Sequence, residues 1–417
     1  MSEDTKKFND YDFSSFYFGT EDGQFTIIDQ FNEWHDEAIK LGYNQFSLPL
    51  TSAPLSVVKL IHPDFHTESE LINLSSYNYL GIATRKEVLE SAKEALDTYG
   101  LGASGSPILS GTFQIGVDFA KQLAEFKKKE AAIIFPTGYS TNLGFISGIM
   151  RPGDTILLDQ FAHASIVDGA ILSRAEIVYF KHNNSIDLEK KISKIKGRKL
   201  IVVEGVYSMD GDMCPLDSIV AVAKKYDSKI LLDEAHSAFI FGENGRGIAE
   251  LYGLEDEIDF HMGTFSKSLG GIGGYICGSQ DIINYVNVYG RSRFFSCNIP
   301  PTIFAGLSRG LKIAIDEPQL RQKIQNNSAL MKEKLNQYGI DKLTSQSQII
   351  PVIIGNEEKT FKIAKQLLNE GIFVLPVVYP AVTKNRARLR ISISATLNES
   401  QIDFAAQKIA SVINNFK

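Results

Sequence analysis

Thr264-Phe-Ser-Lys-Ser-Leu-Gly-Gly-Ile-Gly-Gly274 sets one lysine, Lys267, between two serines and follows it with four glycines in five positions. It comes directly after Ile258-Asp-Phe-His-Met262, an apolar run that reads as a buried strand ending at Gly263. A lysine amine changes its pKa readily when desolvated, which suits it to Schiff-base chemistry. The glycines let the backbone pass close to something bulky. On this stretch alone, Lys267 reads first as a solvated surface charge, as most lysines are.

The run upstream, Lys229-Ile-Leu-Leu-Asp-Glu-Ala-His-Ser237, reads as an apolar strand ending in an acid, with a histidine three residues later. Asp233 precedes Lys267 by 34 residues, room for one crossover and the next strand. In an open α/β sheet, ligands bind beyond the carboxyl ends of the strands, so Asp233 and Lys267 are expected in one crevice. A carboxylate facing a lysine amine is the pairing that pyridoxal phosphate requires, because the acid keeps the pyridine nitrogen protonated.

The rest of the pattern is of the same kind. Ala131–Phe135, Thr155–Leu158, Glu176–Phe180, Leu200–Glu204, Ile230–Asp233, Asp259–Met262 and Tyr275–Cys277 read as strands, with helical segments between most of them. A mostly parallel seven-stranded sheet covered on both faces is predicted. After about residue 300 a long helical region, Ile303–Tyr338, precedes Ile349–Ile354, Ile372–Val378 and Leu389–Ile393, which reads as a smaller α+β domain. The expected division is an N-terminal arm over 1–60, a large α/β domain over 61–300 and a small domain over 301–417. Ile27–Leu41 reads as an amphipathic helix of the arm, and Lys86–Tyr99 as a helix ending at Gly100.

Composition narrows the function classes. The chain has 417 residues, 44% of them hydrophobic, and a net charge of −6, which argues against nucleic acid as principal partner. Cys214, Cys277 and Cys297 are widely spaced with no metal-ligand pattern, as in a reducing compartment. With neither a span-length apolar run nor a signal-peptide core, a cytoplasmic protein is expected.

Several strand-end loops carry chemistry in one reading and plain structure in another. Phe135-Pro-Thr-Gly-Tyr-Ser-Thr-Asn142 reads as a phosphate-binding turn into a helix starting near Ser140, with Gly138 permitting close approach, or as an ordinary β–α turn. His163 reads as a group that stacks on an aromatic cofactor or as a satisfied polar residue. In Glu204-Gly-Val-Tyr-Ser-Met-Asp-Gly-Asp212, Ser208 is a candidate donor to the cofactor. Arg390, in Arg388-Leu-Arg-Ile-Ser-Ile-Ser-Ala395, reads as a carboxylate clamp or a strand surface charge. Ser296 offers a hydroxyl that could reach a phosphate across a dimer interface.

Taken in order, SSYNYLG (75–81), the block opening at His163, EGVYSMDGD (204–212), LDEAHS (232–237), GTFSKS (263–268) and RISISA (390–395) resemble the α-oxoamine synthases over roughly residues 70–410. These are fold-type I pyridoxal phosphate transferases that condense an amino acid with an acyl thioester and lose CO2. FKHNN (180–184) and Phe373–Ala381 are most similar to the serine palmitoyltransferase branch. The resemblance implies that Lys267 holds the cofactor covalently and Asp233 pairs with its ring nitrogen. It implies His236 on the phenolic oxygen and His163 on the ring face. Gly138, Tyr139 and Thr264 would hold the phosphate, with Ser296 reaching it from a second subunit of a homodimer. Arg390 would take the amino-acid carboxylate, with Tyr77 and Asn78 also on the substrate side.

The implied reaction joins L-serine to a long-chain acyl thioester, palmitoyl-CoA, as in the first step of sphingolipid synthesis. The alternatives are a sister condensation using glycine or alanine, or an acyl-carrier-protein thioester, and, from another class, a non-catalytic subunit. A weak association with a membrane surface would suit the long-chain donor. Two departures fall near the acyl-thioester side: Pro107 stands where many members have arginine, and Gly116 where they have histidine.

Overall fold

The large sheet forms because its strands are short and apolar on both faces. The computed structural model describes residues 15, 26–64, 66–341 and 344–416; most of the expected arm before residue 26 lies outside them. The strands are β1 (Ala131–Phe135), β2 (Thr155–Asp159), β3 (Glu176–Phe180), β4 (Lys199–Glu204), β5 (Lys229–Asp233), β6 (Phe260–Thr264) and β7 (Gly274–Gly278). Their order is β1-β7-β6-β5-β4-β2-β3. Pairings from β6 through β3 are parallel, and β7 runs antiparallel to both its neighbours. Every residue of β2 and β6 is buried, as expected for strands with helices on both faces. Ile156, Leu158, Val202, Leu231 and Ile276 share one core with Phe145 and Ile146 of helix Gly138–Ile149.

This sheet lies in a unit comprising Tyr77–Ser208 and Asp212–Ile324. The other unit gathers the described residues up to Ser76 with Met209–Gly211 and 325–416. Residues 61–76, expected in the large domain, group with this second unit, and 301–324, expected in the small domain, group with the sheet. The second unit holds an antiparallel sheet of Ile349–Gly355, Ala387–Ser392 and Leu375–Val377. Its core packs Val352, Leu389 and Ile391 against Ile363 and Leu367 of helix Glu357–Asn369 and Ile409 of helix Glu399–Asn415. Helix Thr26–Leu41 buries Trp34 and Ala38 beside Tyr43 and Phe361.

Two elements differ from expectation. The long helical region divides into Pro301–Asp316 and Gln319–Gln337, because Pro318 lacks an N–H and crowds the preceding turn. The run Ile372–Val378 splits between two sheets: Ile372–Phe373 pairs parallel with Glu68–Asn73, and Leu375–Val377 pairs antiparallel with Ala387–Ser392. Among the described residues, no helix is long and apolar enough to cross a membrane.

Candidate active site

A cavity of about 360 Å³ opens at the carboxyl ends of β4, β5 and β6, where parallel strands leave their last side chains beyond the ladder. It is lined by Gly138, Tyr139, His163, Asp233, His236, Thr264 and Lys267, so seven residues singled out in the sequence meet there.

Lys267 sits in the β6–β7 connection, a loop closed on itself by backbone bonds. Phe265 N–H donates to Gly273 O, Gly271 N–H to Phe265 O and Gly270 N–H to Lys267 O, each at 2.9 Å. Gly270 has φ +66°, and a Cβ there would lie 2.4 Å from Ala83 Cβ, so this turn accepts only glycine. Lys267 Nζ lies 2.7 Å from His236 Nε2, and Tyr79 Oη lies 2.9 Å from His236 Nδ1. The buried Tyr79 thereby fixes the imidazole that meets the lysine.

Asp233 ends β5, almost wholly buried. Its Oδ2 accepts from Asn142 Nδ2 and its Oδ1 from Ala235 N–H, each at 2.9 Å. Asn142 also donates to Ser165 Oγ at 3.0 Å, and Ser165 Oγ lies 2.8 Å from His163 Nδ1. Burial holds His163 below its ordinary pKa, against the pull of Asp233, so the ring at the cavity wall is neutral near pH 7.

Helix Gly138–Ile149 begins at the cavity. Thr137 caps it, accepting from Ser140 N–H at 2.9 Å while Ser140 Oγ accepts from Thr137 N–H at 3.0 Å. First-turn N–H groups, here of Gly138 and Tyr139, find no acceptor within a helix and favour an anion. Gly138 lies against Thr264: a Cβ on it would sit 2.9 Å from Thr264 Oγ1. The cradle therefore stays open only with glycine.

The remaining expected residues stand elsewhere. Ser208 and Ser296 are half-buried and do not line the cavity; Ser296 N–H donates to Arg293 O at 3.2 Å. Tyr77 presents its ring edge-on to His236 at 5.8 Å, and Asn78 is buried in the turn before Ala83. Arg390, in the second unit, is buried on its strand with Nη1 donating to Ser392 Oγ at 2.8 Å, so it is not the surface charge of the alternative reading. Asn142, Ser165, Tyr79 and Glu204 were not singled out. Glu204 carried the signal that marked Asp233, an apolar strand ending in an acid.

Beside the cavity, His182 is clamped between two carboxylates, with Nδ1 2.9 Å from Asp159 and Nε2 2.7 Å from Asp212. Burial alone would lower its pKa, but the two acids outweigh it and raise it from 6.5 to about 9. A raised value means the stabilisation is fully present below pH 6.5 and is lost as pH rises through about 9. The Tm gap between wild type and His182→Gln is therefore expected to close as pH is raised past about 9. Melting curves across pH check this, and a gap that ignores pH would show the imidazole is not held protonated.

A model of the class I and II aminotransferases matches residues 69–409. Over 82% of this chain, it is 40% identical to 86% of a serine palmitoyltransferase of Sphingobacterium spiritivorum. Over the same share it is 38% identical to 88% of an 8-amino-7-oxononanoate synthase of Thermoanaerobacter pseudethanolicus. A lysine-to-alanine variant of the serine palmitoyltransferase of S. paucimobilis, solved with a bound PLP–myriocin aldimine, superposes with a TM-score of 0.88 at 33% identity, over 93% of this chain and 98% of that one.

Proposed function

The chain belongs to the class I and II aminotransferase family and to its α-oxoamine synthases, and we propose that within them it condenses L-serine with a long-chain acyl thioester. It is a pyridoxal phosphate enzyme, as this family is. The residues present fit that group: the Gly138 cradle and helix N-terminus suit a phosphate, and a buried acid and a lysine share one cavity. When bound, pyridoxal phosphate supplies an electron sink for the bonds at the amino acid's α-carbon.

The chain's own groups account for the remaining steps. Gly138 and Tyr139 N–H groups and Thr264 would hold the phosphate. Asp233, aligned by Asn142, would keep a ring nitrogen protonated. Lys267 Nζ would anchor the group and then take the substrate's α-proton, with His236 at 2.7 Å accepting or returning it. The neutral His163 would lie over the ring and donate to the thioester oxygen as charge develops there. Arg390 is the proposed clamp for the substrate carboxylate. The carbon–carbon bond would form as the thioester's C–S bond breaks and the thiol departs, and CO2 would then leave from that carboxylate.

The observation that supports serine is the structural likeness to a serine palmitoyltransferase over nearly the whole chain. A second reading, glycine or alanine as donor, draws on the comparable identity to an 8-amino-7-oxononanoate synthase. In this chain Gly116 lies against Phe304: a Cβ there would sit 2.9 Å from the ring, so a histidine at this position would require the Phe304 side chain to shift. The reading as a non-catalytic subunit fits poorly with Lys267, Asp233 and His163 all lining one cavity.

Visible absorption of the cofactor-loaded protein, titrated separately with serine, glycine, alanine and threonine, tests the proposal. A saturable change tightest for serine, followed by CO2 release on adding palmitoyl-CoA, is the expected result. A response only to glycine or alanine would overturn serine and leave the family intact.

A further inference from the structure

Three acids end three neighbouring strands of the large sheet: Asp159 on β2, Glu204 on β4 and Asp233 on β5. All three are buried, and Glu204 stands directly beside Asp233 in the β4–β5 register. Their partners differ. Asp159 accepts from Phe161 N–H and Asn183 N–H, each at 2.8 Å, and faces His182. Asp233 accepts from Asn142 and Ala235. The Glu204 carboxyl has a single donor among the described residues, the backbone N–H of His163, at 2.7 Å to Oε1. Glu204 nevertheless lines the cavity together with Asp233 and Lys267.

We propose that Glu204 is a positioning residue for the reaction: as an uncharged carboxylic acid it holds the backbone of His163 and so sets how that imidazole lies against the cofactor cavity. His163 is where two restraints converge. Its main chain is held by Glu204, and its ring is tied through Ser165 and Asn142 to Asp233. A run of hydrogen bonds therefore links the two adjacent acids around the cavity wall. Loosening its Glu204 end would let His163 tilt while leaving Asp233 in place.

The uncharged state follows from what faces Glu204. Burial opposes its ionisation first, and Asp233 on β5 and Asp159 on β2 oppose it further. The His163 N–H and the Lys267 ammonium favour the charged form without outweighing these, so the carboxyl stays well above its ordinary value. Tyr207, whose hydroxyl lies 3.5 Å from the Glu204 backbone N, is buried and kept neutral as well. A carboxylate in so dry a place with one donor would be costly, whereas an acid keeps its carbonyl oxygen for the His163 N–H.

Two variants and one spectrum test this. Glu204→Gln keeps a carbonyl acceptor without a charge; Glu204→Leu keeps the bulk and removes the acceptor. The expected result is a kcat within about threefold of wild type for the glutamine variant and a loss of about tenfold or more for the leucine variant. The visible circular dichroism of bound pyridoxal phosphate should be preserved in the first and weakened in the second, at similar cofactor affinity. An infrared difference spectrum, wild type minus Glu204→Gln at neutral pH, should show the C=O stretch of a protonated carboxylic acid, with or without cofactor.

A glutamine variant as impaired as the leucine one, or no such infrared band, would overturn the uncharged acid. A leucine variant with unchanged kcat and dichroism would overturn the positioning role; should it not fold, the glutamine variant and the infrared band still decide. The dichroism rests on the cofactor reading above, whereas the infrared band does not. A protein that binds no pyridoxal phosphate would therefore sink that reading and leave the charge state of Glu204 to be read directly.

Discussion

Lys267→Ala is expected to abolish condensation, lowering turnover by roughly 10⁴-fold or more, because one amine carries two duties. Its Nζ is the proposed covalent anchor of the cofactor and the base for the substrate α-proton, and it lies 2.7 Å from the imidazole that would share that proton. The rest of the cradle does not depend on it. Thr137 still caps helix Gly138–Ile149, and Asn142 still donates to Asp233. The variant should therefore bind pyridoxal phosphate reversibly, lose it on dialysis, lack the visible band of lysine-linked cofactor and melt close to wild type. CO2 or free-thiol release under steady state reads the effect. Turnover within about tenfold of wild type would remove Lys267 from its assigned role.

Lys127→Met should produce the largest loss of stability, about 3–5 kcal/mol in the unfolding free energy of the sheet-bearing unit. Lys127 is buried and pairs with the fully buried Glu234, which also contacts His261 at 3.2 Å. Burial alone would raise the Glu234 pKa, but the Lys127 ammonium and His261 outweigh it and bring it from 4.5 to about 2. Methionine would leave that carboxylate in a dry interior without its cation. A depressed value means the contribution is present above pH 4.5 and fades as pH falls toward about 2, so the gap to wild type should narrow in acid. Urea unfolding of both proteins across pH measures this. The double variant Lys127→Met/Glu234→Gln should recover much of the loss, because the orphaned charge is gone. A single-variant loss below about 1 kcal/mol would mean the pair contributes little.

The parallel sheet was legible because strands covered on both faces must be apolar throughout, and β2 or β5 betrays itself without any partner in view. Asp233 and His236 were legible for a related reason: a polar residue directly after such a run has to stand at the strand's carboxyl end, where ligands bind. Asn142, Ser165 and Tyr79 escaped because their significance lies in lateral neighbours, and Glu204, although it ends an apolar strand as Asp233 does, shows its role only in what stands beside it. The Glu204–Asp233 register and the Tyr79–His236 bond join residues 29 and 157 positions apart, and no local pattern announces such pairs. The Lys127–Glu234 pair escaped in the same way, since a lysine near a helix end ordinarily reads as solvated. The divided run Ile372–Val378 shows the limit of counting apolar residues: six of them around Pro376 looked like one strand, while two sheets each took a part.

The loop that carries Lys267 is locked at its backbone, by three bonds within the loop and by a glycine wedged against Ala83. In its proposed role as anchor, the Lys267 amine would therefore have only its own methylene chain to swing on. Anchoring and release become a matter of side-chain rotation, which is fast, and no segment has to refold between turnovers. The amide hydrogens of Phe265, Gly270 and Gly271 should accordingly exchange with solvent at the same slow rate in resting and turning-over enzyme.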